Sequence, residues 1–297
     1  MDEPRETHFT RRRILAIAGV LFFAFLAYRV FFVYTVRSGD CTANTSVPYQ
    51  PVEGPATLDR DLVVMTYNVE GHAALLDEDH LDEIADLILR EKPEIVGLQE
   101  VHRNTWQSRF TDQAKELADR TGMNVIFGPS FRVGDGEFGN AVLTRGDISR
   151  AVVHPLPSMG EPRTLLQVWV RVGGRTVCLF VTHLVTWGKL TSTIREEQLG
   201  CISSHISATG VPWILVGDLN ATPAAEEIKA FSRRGDVRAG DPGLPTHGLT
   251  KRQLDYVFAD PRWAVLSSRI VEGGPSDHMA IVSVLRERGR TMNGGES

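Results

Sequence analysis

Residues 213–220 read WILVGDLN: four apolar residues and a glycine suited to a buried strand, then Asp218 and Asn220 where the strand must end. A Gly-Asp pair alone is usually a turn, a lone Asn a turn former, and a lone Glu after a strand a surface charge. Here the pattern repeats along the chain. Leu62–Tyr67 (LVVMTY) is followed by Asn68, Ile95–Gln99 (IVGLQ) by Glu100, and LFVT by His183. Further on, LDYVF carries Asp255 in its second position, and PSDHMAIV places Asp277 and His278 just before an apolar run. Polar groups at strand ends converge on one rim of a sheet, where a rigid scaffold can hold an active site.

Between these strands the spacing predicts helices over Leu81–Arg90, Thr111–Thr121 and Ser192–Ala208. Strands are predicted at Asn124–Gly128, Gly139–Thr144, Leu165–Val172, Thr176–Thr182, Trp213–Gly217, Asp255–Phe258 and Met279–Val284. Gly173-Gly174 marks a hairpin between two of them. Mixed strands and helices without a tandem repeat predict an α/β sandwich of helices over sheets.

The 297 residues are 42% hydrophobic and 23% charged, a globular composition, with formal net charge −5. Arg5, Arg11, Arg12, Arg13, Arg29 and Arg37 against Asp2, Glu3 and Glu6 give residues 1–37 a charge of +3, leaving −8 for the rest. So acidic a domain lacks the broad basic face of a sequence-independent DNA binder. Ile14–Val36 is apolar apart from Arg29 and Thr35, and its 23 residues would span a bilayer core of about 30 Å. Arg11–Arg13 precede it, so the positive-inside rule predicts a single-pass anchor in the cell membrane with a cytoplasmic N-terminus and an extracytoplasmic catalytic domain. A cleaved secretory signal is the rival reading, although no small-residue cleavage site follows Tyr28. The expected order is a cytoplasmic segment 1–13, the anchor 14–36, a linker 37–56, a catalytic domain 57–288 and a disordered tail 289–297. Cys41, Cys178 and Cys201 fit no zinc spacing; Cys178 and Cys201 could pair in an exported protein, or Cys178 could simply be a small core residue.

Taken in order, TYNVEGH, VGLQEV, GNAVLTR, THL, GDLNATP, LDYVF and SDHMAIV resemble the endonuclease/exonuclease/phosphatase superfamily, which includes pancreatic deoxyribonuclease, apurinic endonucleases, sphingomyelinases and inositol polyphosphate phosphatases. The resemblance covers about four fifths of the chain, and GNAVLTR with Glu161–Arg163 looks most like the bacterial metal-dependent hydrolases of that group. It implies a four-layer α/β sandwich of two packed mixed β-sheets flanked by helices, like deoxyribonuclease I. It also implies Mg²⁺ or Mn²⁺ held by Glu100, Asn68 and Asp277, oxygen donors that suit a hard cation. Asp218 would position or deprotonate water, Asn220 would hold the phosphate or nucleophile, and His183 would donate to a phosphoryl oxygen. His278, oriented by Asp255, would stabilise the developing oxyanion or assist the leaving group; Arg163 and Asn140 are weaker candidates for phosphate contacts.

The implied function is metal-assisted, in-line hydrolysis of a phosphodiester by a membrane-anchored monomer. Lipid head group, nucleic acid and small ester all stay open as substrates, so nuclease and small-ester phosphatase are the alternatives. A catalytically silent binding module would be expected to have lost Glu100, Asp218, Asn220 or His278, and all four are present. A serine hydrolase is set aside because no GxSxG elbow occurs. His72 and His102 follow motif residues closely enough to face a cleft, whereas His247 matches no motif. Trp187-Gly188-Lys189, after the His183 strand, could touch a base, a sugar or a lipid, or simply be partly buried.

Overall fold

The computed structural model describes residues 37–48, 61–186, 191–234, 238–240 and 243–288. Eleven principal strands carry the fold. They are β1 Leu62–Asn68, β2 Ile95–Arg103, β3 Asn124–Val133, β4 Gly136–Thr144, β5 Asp147–Leu156, β6 Arg163–Val172, β7 Arg175–His183, β8 Trp213–Asp218, β9 Asp255–Ala259, β10 Trp263–Val271 and β11 Ala280–Glu287. The helices are α1 His80–Glu91, α2 Gln113–Thr121, α3 Ser192–Ser207 and α4 Glu226–Ser232. One sheet runs β10-β11-β1-β2-β4-β3. The other runs β9-β8-β7-β6-β5, extended by Arg238–Gly240 beside β9 and Thr45–Ser46 beside β5. Each sheet is mixed: β1 and β2 are parallel, as are β7 and β8, while the remaining neighbours are antiparallel.

Strand periodicity builds four layers from this pairing, because successive side chains point to opposite faces. Leu62, Val64, Val177, Leu179, Val181, Ile214, Val216 and Val257 fill the space between the sheets. Their alternates Met65, Tyr67, Val96 and Leu98 pack outward against Ile84, Ile88 and Leu117 of α1 and α2. On the opposite side Phe180, Leu215, Tyr256 and Phe258 pack against Leu199 and Ile202 of α3 and Phe231 of α4. Each large apolar side chain buried this way contributes about 1.5–3 kcal/mol. The sheets pack tightly at Gly97, where a Cβ would lie 2.3 Å from Val216 Cγ2. The fold is thus two packed mixed sheets with flanking helices, as the resemblance implied.

The hairpin expected at Gly173-Gly174 is present, with Val172 opposite Arg175. α2 begins two residues later than the spacing predicts, because the Asp112 side chain caps it by accepting the Lys115 N–H at 3.1 Å. Strands β5 and β10 escaped the reading: Ser149 and Arg150 interrupt the alternation of the first, and the face of the second is largely polar and half-exposed. Residues 37–48, expected as part of a linker, are docked instead. Thr45 and Ser46 pair with Val153 and Val152, and Val47 packs on the inter-sheet core. All three cysteines are free; Cys178 is a buried core residue rather than a partner of Cys201, and Cys41 packs on the same apolar cluster as Cys201. The proposed anchor 14–36, the tail 289–297 and the Trp187-Gly188-Lys189 loop lie outside the described residues. Among the described residues no helix is long and apolar enough to cross a membrane.

Candidate active site

Strand parity decides where the site lies. Asn68, His183, Asp218 and Asp255 have the same parity as the valines and leucines between the sheets, so their side chains emerge at the mouth of the inter-sheet core. Register then aligns three of them on neighbouring strands, with His183 opposite Asp218 and Asp218 opposite Asp255. β8 approaches β7 so closely that a Cβ on Gly217, whose φ is +154°, would sit 2.0 Å from the Thr182 carbonyl oxygen. Only glycine fits before Asp218. Beyond it, Asn220 adopts a left-handed φ of 51°, and its N–H donates to Asp218 Oδ1 at 2.8 Å. Across the mouth, the Asn68 side-chain amide donates to Asp218 Oδ2 at 3.2 Å and to Glu100 Oε1 at 3.0 Å, tying the two sheets together.

Glu100 reaches the cleft through a break in its strand. Pairing of β2 with β4 slips between Leu98 and Val101, and Glu100 has φ 59°, a conformation uncommon for a non-glycine residue. The Ser276–His278 segment is fastened at the opposite edge: Ser276 Oγ donates to the Asn68 carbonyl at 2.7 Å and accepts the His278 N–H at 3.1 Å. Thr246 holds this corner too, its hydroxyl accepting the N–H groups of Leu254 and Asp255 and its carbonyl that of Met279.

Buried charges in this mouth are organised around His278. Its Nδ1 lies 2.8 Å from Asp255 Oδ2 and its Nε2 3.7 Å from Asp218 Oδ2. Burial alone would disfavour the imidazolium, but the Asp255 ion pair, then Asp218 and Asp277, outweigh it and push the pKa up to about 10. Asp218 is pushed up to about 7, by burial first and then by the negative charge of Asp255. His183 is held well below its ordinary value by burial, with Arg163 and His278 adding repulsion, so it is neutral. Its Nδ1 is 3.0 Å from Arg163 Nη1, and a guanidinium can only donate. Its Nε2 faces the Asn220 side-chain nitrogen at 2.9 Å and Asp218 at 3.5 Å.

These groups open onto a cleft of about 590 Å³ lined on its charged side by Glu70, Glu100, Arg163, Asp218, Asp277 and His278. His183 and Asn220 also line it, while Asn68 and Asp255 stand behind this layer. Asn140 does not reach the cleft lining. It is buried in β4, where its amide donates to the Thr164 carbonyl at 3.3 Å and holds β4 against β6.

Two acidic arrangements could take a cation. Asp218, Asp255 and His278 offer ligand atoms within 4.8 Å of one another, a possible metal-binding group. The half-exposed carboxylates of Glu70, Glu100 and Asp277 line the same cleft. Asn68, expected as a ligand, has its amide N–H on Glu100 and Asp218 and its oxygen on the Glu70 N–H at 3.1 Å, so it bridges acidic groups. Glu70 was missed although it stands two residues after Asn68 in TYNVEGH; it accepts the Asp277 N–H at 2.9 Å. His247 was missed for lack of any local signal. The chain brings it beside His278, ring centroids 4.7 Å apart, with Nε2 3.6 Å from Asp277. His72 and His102 do line the cleft, as their positions suggested.

Known proteins of the same shape carry related names. An endonuclease/exonuclease/phosphatase from Beutenbergia cavernae matches with a TM-score of 0.64 at 26% identity, over 77% of this chain and 72% of that one. A mannosyl-6-phosphatase from Bacteroides thetaiotaomicron matches at 0.63 and 19% identity, over 76% of this chain and 99% of its own. D. rerio TDP2 in complex with a single strand DNA product matches at 0.63 and 18%, again over 76% and 99%. Below a quarter identity, such likeness speaks for the fold. Among curated proteins no sequence match was found. The family model described as Endonuclease/Exonuclease/phosphatase family matches residues 65–278, which include every residue lining this cleft, and the chain belongs to that family.

Proposed function

We propose that this protein is a divalent-metal-dependent phosphoester hydrolase that cleaves a phosphodiester by in-line attack of water. One observation carries the reading: an imidazolium paired to a buried Asp and a second, neutral His flank the same carboxylate, Asp218, beside an open acidic cleft. The residues fit a hard cation. Their donors are carboxylate oxygens, and burial, with the negative charge of Asp255 added, raises the Asp218 pKa, as expected where positive charge is wanted. Glu100, with Glu70 and Asp277, would hold Mg²⁺ or Mn²⁺, and Asp218 stands next to it. Bound there, such an ion supplies charge neutralisation for the phosphate and a more acidic water.

The protein's own groups divide the remaining work. Asp218, with a pKa near neutrality, accepts a proton from water, and Asn220 restrains the nucleophile. His183, held between Arg163 and Asn220, donates to a phosphoryl oxygen. His278, kept charged by Asp255, stabilises the negative charge that builds on the pentacovalent phosphorus. Arg163, held by Glu161 at 3.2 Å, contacts the ester from the cleft wall.

The reading includes a tether. Residues 14–36 form an anchor with the N-terminus cytoplasmic, and the catalytic domain 57–288 works as a monomer outside the membrane. Hydrolysis of bis(p-nitrophenyl) phosphate by the purified full-length chain, with Mn²⁺ and then with chelator, tests the chemistry. Absence of metal-dependent turnover on this ester, plasmid DNA, RNA, sphingomyelin and phosphatidylinositol would favour a binding module. Carbonate extraction and intact mass test the anchor: release from membranes, or loss of residues 1–28, would replace it by a cleaved signal.

A further inference from the structure

The wall of the cleft away from the carboxylates is of a different kind. Phe131 and Val133 at the end of β3 and Phe138 in β4 line it, joined by the His102 ring. Phe131 and Phe138 lie with centroids 5.0 Å apart and planes tilted by 39°, and His102 meets Phe138 edge-on, also at 5.0 Å. Both phenylalanines are half-buried, so each keeps part of its ring open to the cleft. Gln107 stands on the same lining, and its side-chain oxygen is buried with no hydrogen-bond partner. An unpaired buried amide costs stability unless a ligand satisfies it. Its loop is built to hold it: Phe110 N–H donates to the Thr105 carbonyl at 2.7 Å, Asn104 N–H to the Thr111 carbonyl at 3.0 Å, and His102 Nδ1 lies 2.9 Å from Thr105 Oγ1.

Arg163 is the only Lys or Arg among the described residues lining the cleft. One guanidinium and a cation suit a single phosphate group, not a run of backbone phosphates. A flat ring fits the opposite wall: its faces stack on phenyl groups, and a polar edge can pair with an amide, which an acyl chain cannot do.

We propose that Phe131, Phe138 and Gln107 form a nucleobase subsite, so that the ester cleaved in this cleft carries a nucleoside next to its phosphate. The proposal rests on the hydrolase reading for the position of the phosphate, but binding alone can test it. Adenosine 5′-monophosphate and ribose 5-phosphate share sugar and phosphate and differ by the base. Calorimetry on the full-length protein with Mn²⁺ is expected to show the nucleotide binding roughly tenfold more tightly. Phe138→Ala and Phe131→Ala should remove that advantage and leave ribose 5-phosphate unaffected. Gln107→Leu should reduce it several-fold, and unchanged melting temperatures would show that the variants fold. Equal affinity of the two ligands, equal weakening of both by the variants, or tighter binding of decyl phosphate than of the nucleotide would overturn the subsite. A preference for the base without turnover of any ester would instead remove the hydrolase reading and keep the subsite.

Discussion

The two sides of the charged cleft solve different problems. On the β7-β8-β9 side, strand register sets the groups, and nearly all charge is internally matched: Asp255 on His278, His278 facing Asp218, Arg163 on Glu161. On the β1-β2 side, a strand irregularity and loops set Glu70, Glu100 and Asp277, which face the cleft with backbone, amide or histidine neighbours and without a Lys or Arg partner among the described residues. A closed, register-fixed cluster suits proton handling at fixed distances. An open, acidic one suits a cation that arrives with its waters. Asn68 joins the two by donating to both Glu100 and Asp218.

The proton-handling side should be the easier to break. His278→Ala is expected to lower kcat by about 10²–10⁴-fold while the protein still binds Mn²⁺, as judged by calorimetry. Glu100→Gln should reverse that pattern: activity falls because metal affinity falls, and part of it returns as Mn²⁺ is raised. Equal metal affinity in the two variants would erase the division of labour.

Stability sharpens the contrast. Asp218 has its pKa raised from 3.8 to about 7, so the folded state binds a proton that the unfolded chain has lost, and ionising this group costs stability as pH rises through that window. Asp218→Asn should thus abolish turnover yet leave the melting temperature at pH 8 equal to or above that of the parent. Gly97→Ala, at the contact between the sheets, should instead cost roughly 1–3 kcal/mol in denaturant titration, since Val216 and Val181 must move. The smallest effect is a limb of the pH profile. Activity in low metal should rise as Asp218 ionises near 7 and fall as His278 discharges near 10, and raising Mn²⁺ should move only the acidic limb downward.

Most of the buried side of the site was legible in the sequence, for a physical reason. Asp218, His183, Asp255 and Asn68 stand at the ends of strands whose apolar parity fixes where their side chains point, and such periodicity is written locally. Fold class followed from the same alternation. What escaped depends on contacts distant in the chain. His247 reaches His278 only because the loop before β9 folds back, and Asn140 is diverted from the cleft because Thr164 on another strand takes its amide. β10 was invisible because its sequence does not alternate apolar with polar, and the docking of residues 37–48 because their composition is that of a linker. The aromatic wall was equally hidden: Phe131 and Phe138 belong to neighbouring strands and meet only through register.

The central claim is that the open carboxylates and the buried imidazolium act together on one ester. A Mn²⁺ titration of bis(p-nitrophenyl) phosphate hydrolysis by the full-length chain, run beside Glu100→Gln and His278→Ala, tests it most directly. The account predicts saturable, chelator-sensitive turnover in the parent, a right-shifted metal curve in the first variant and an unshifted curve of much lower height in the second. Turnover that survives chelator, or that His278→Ala retains in full, would contradict it.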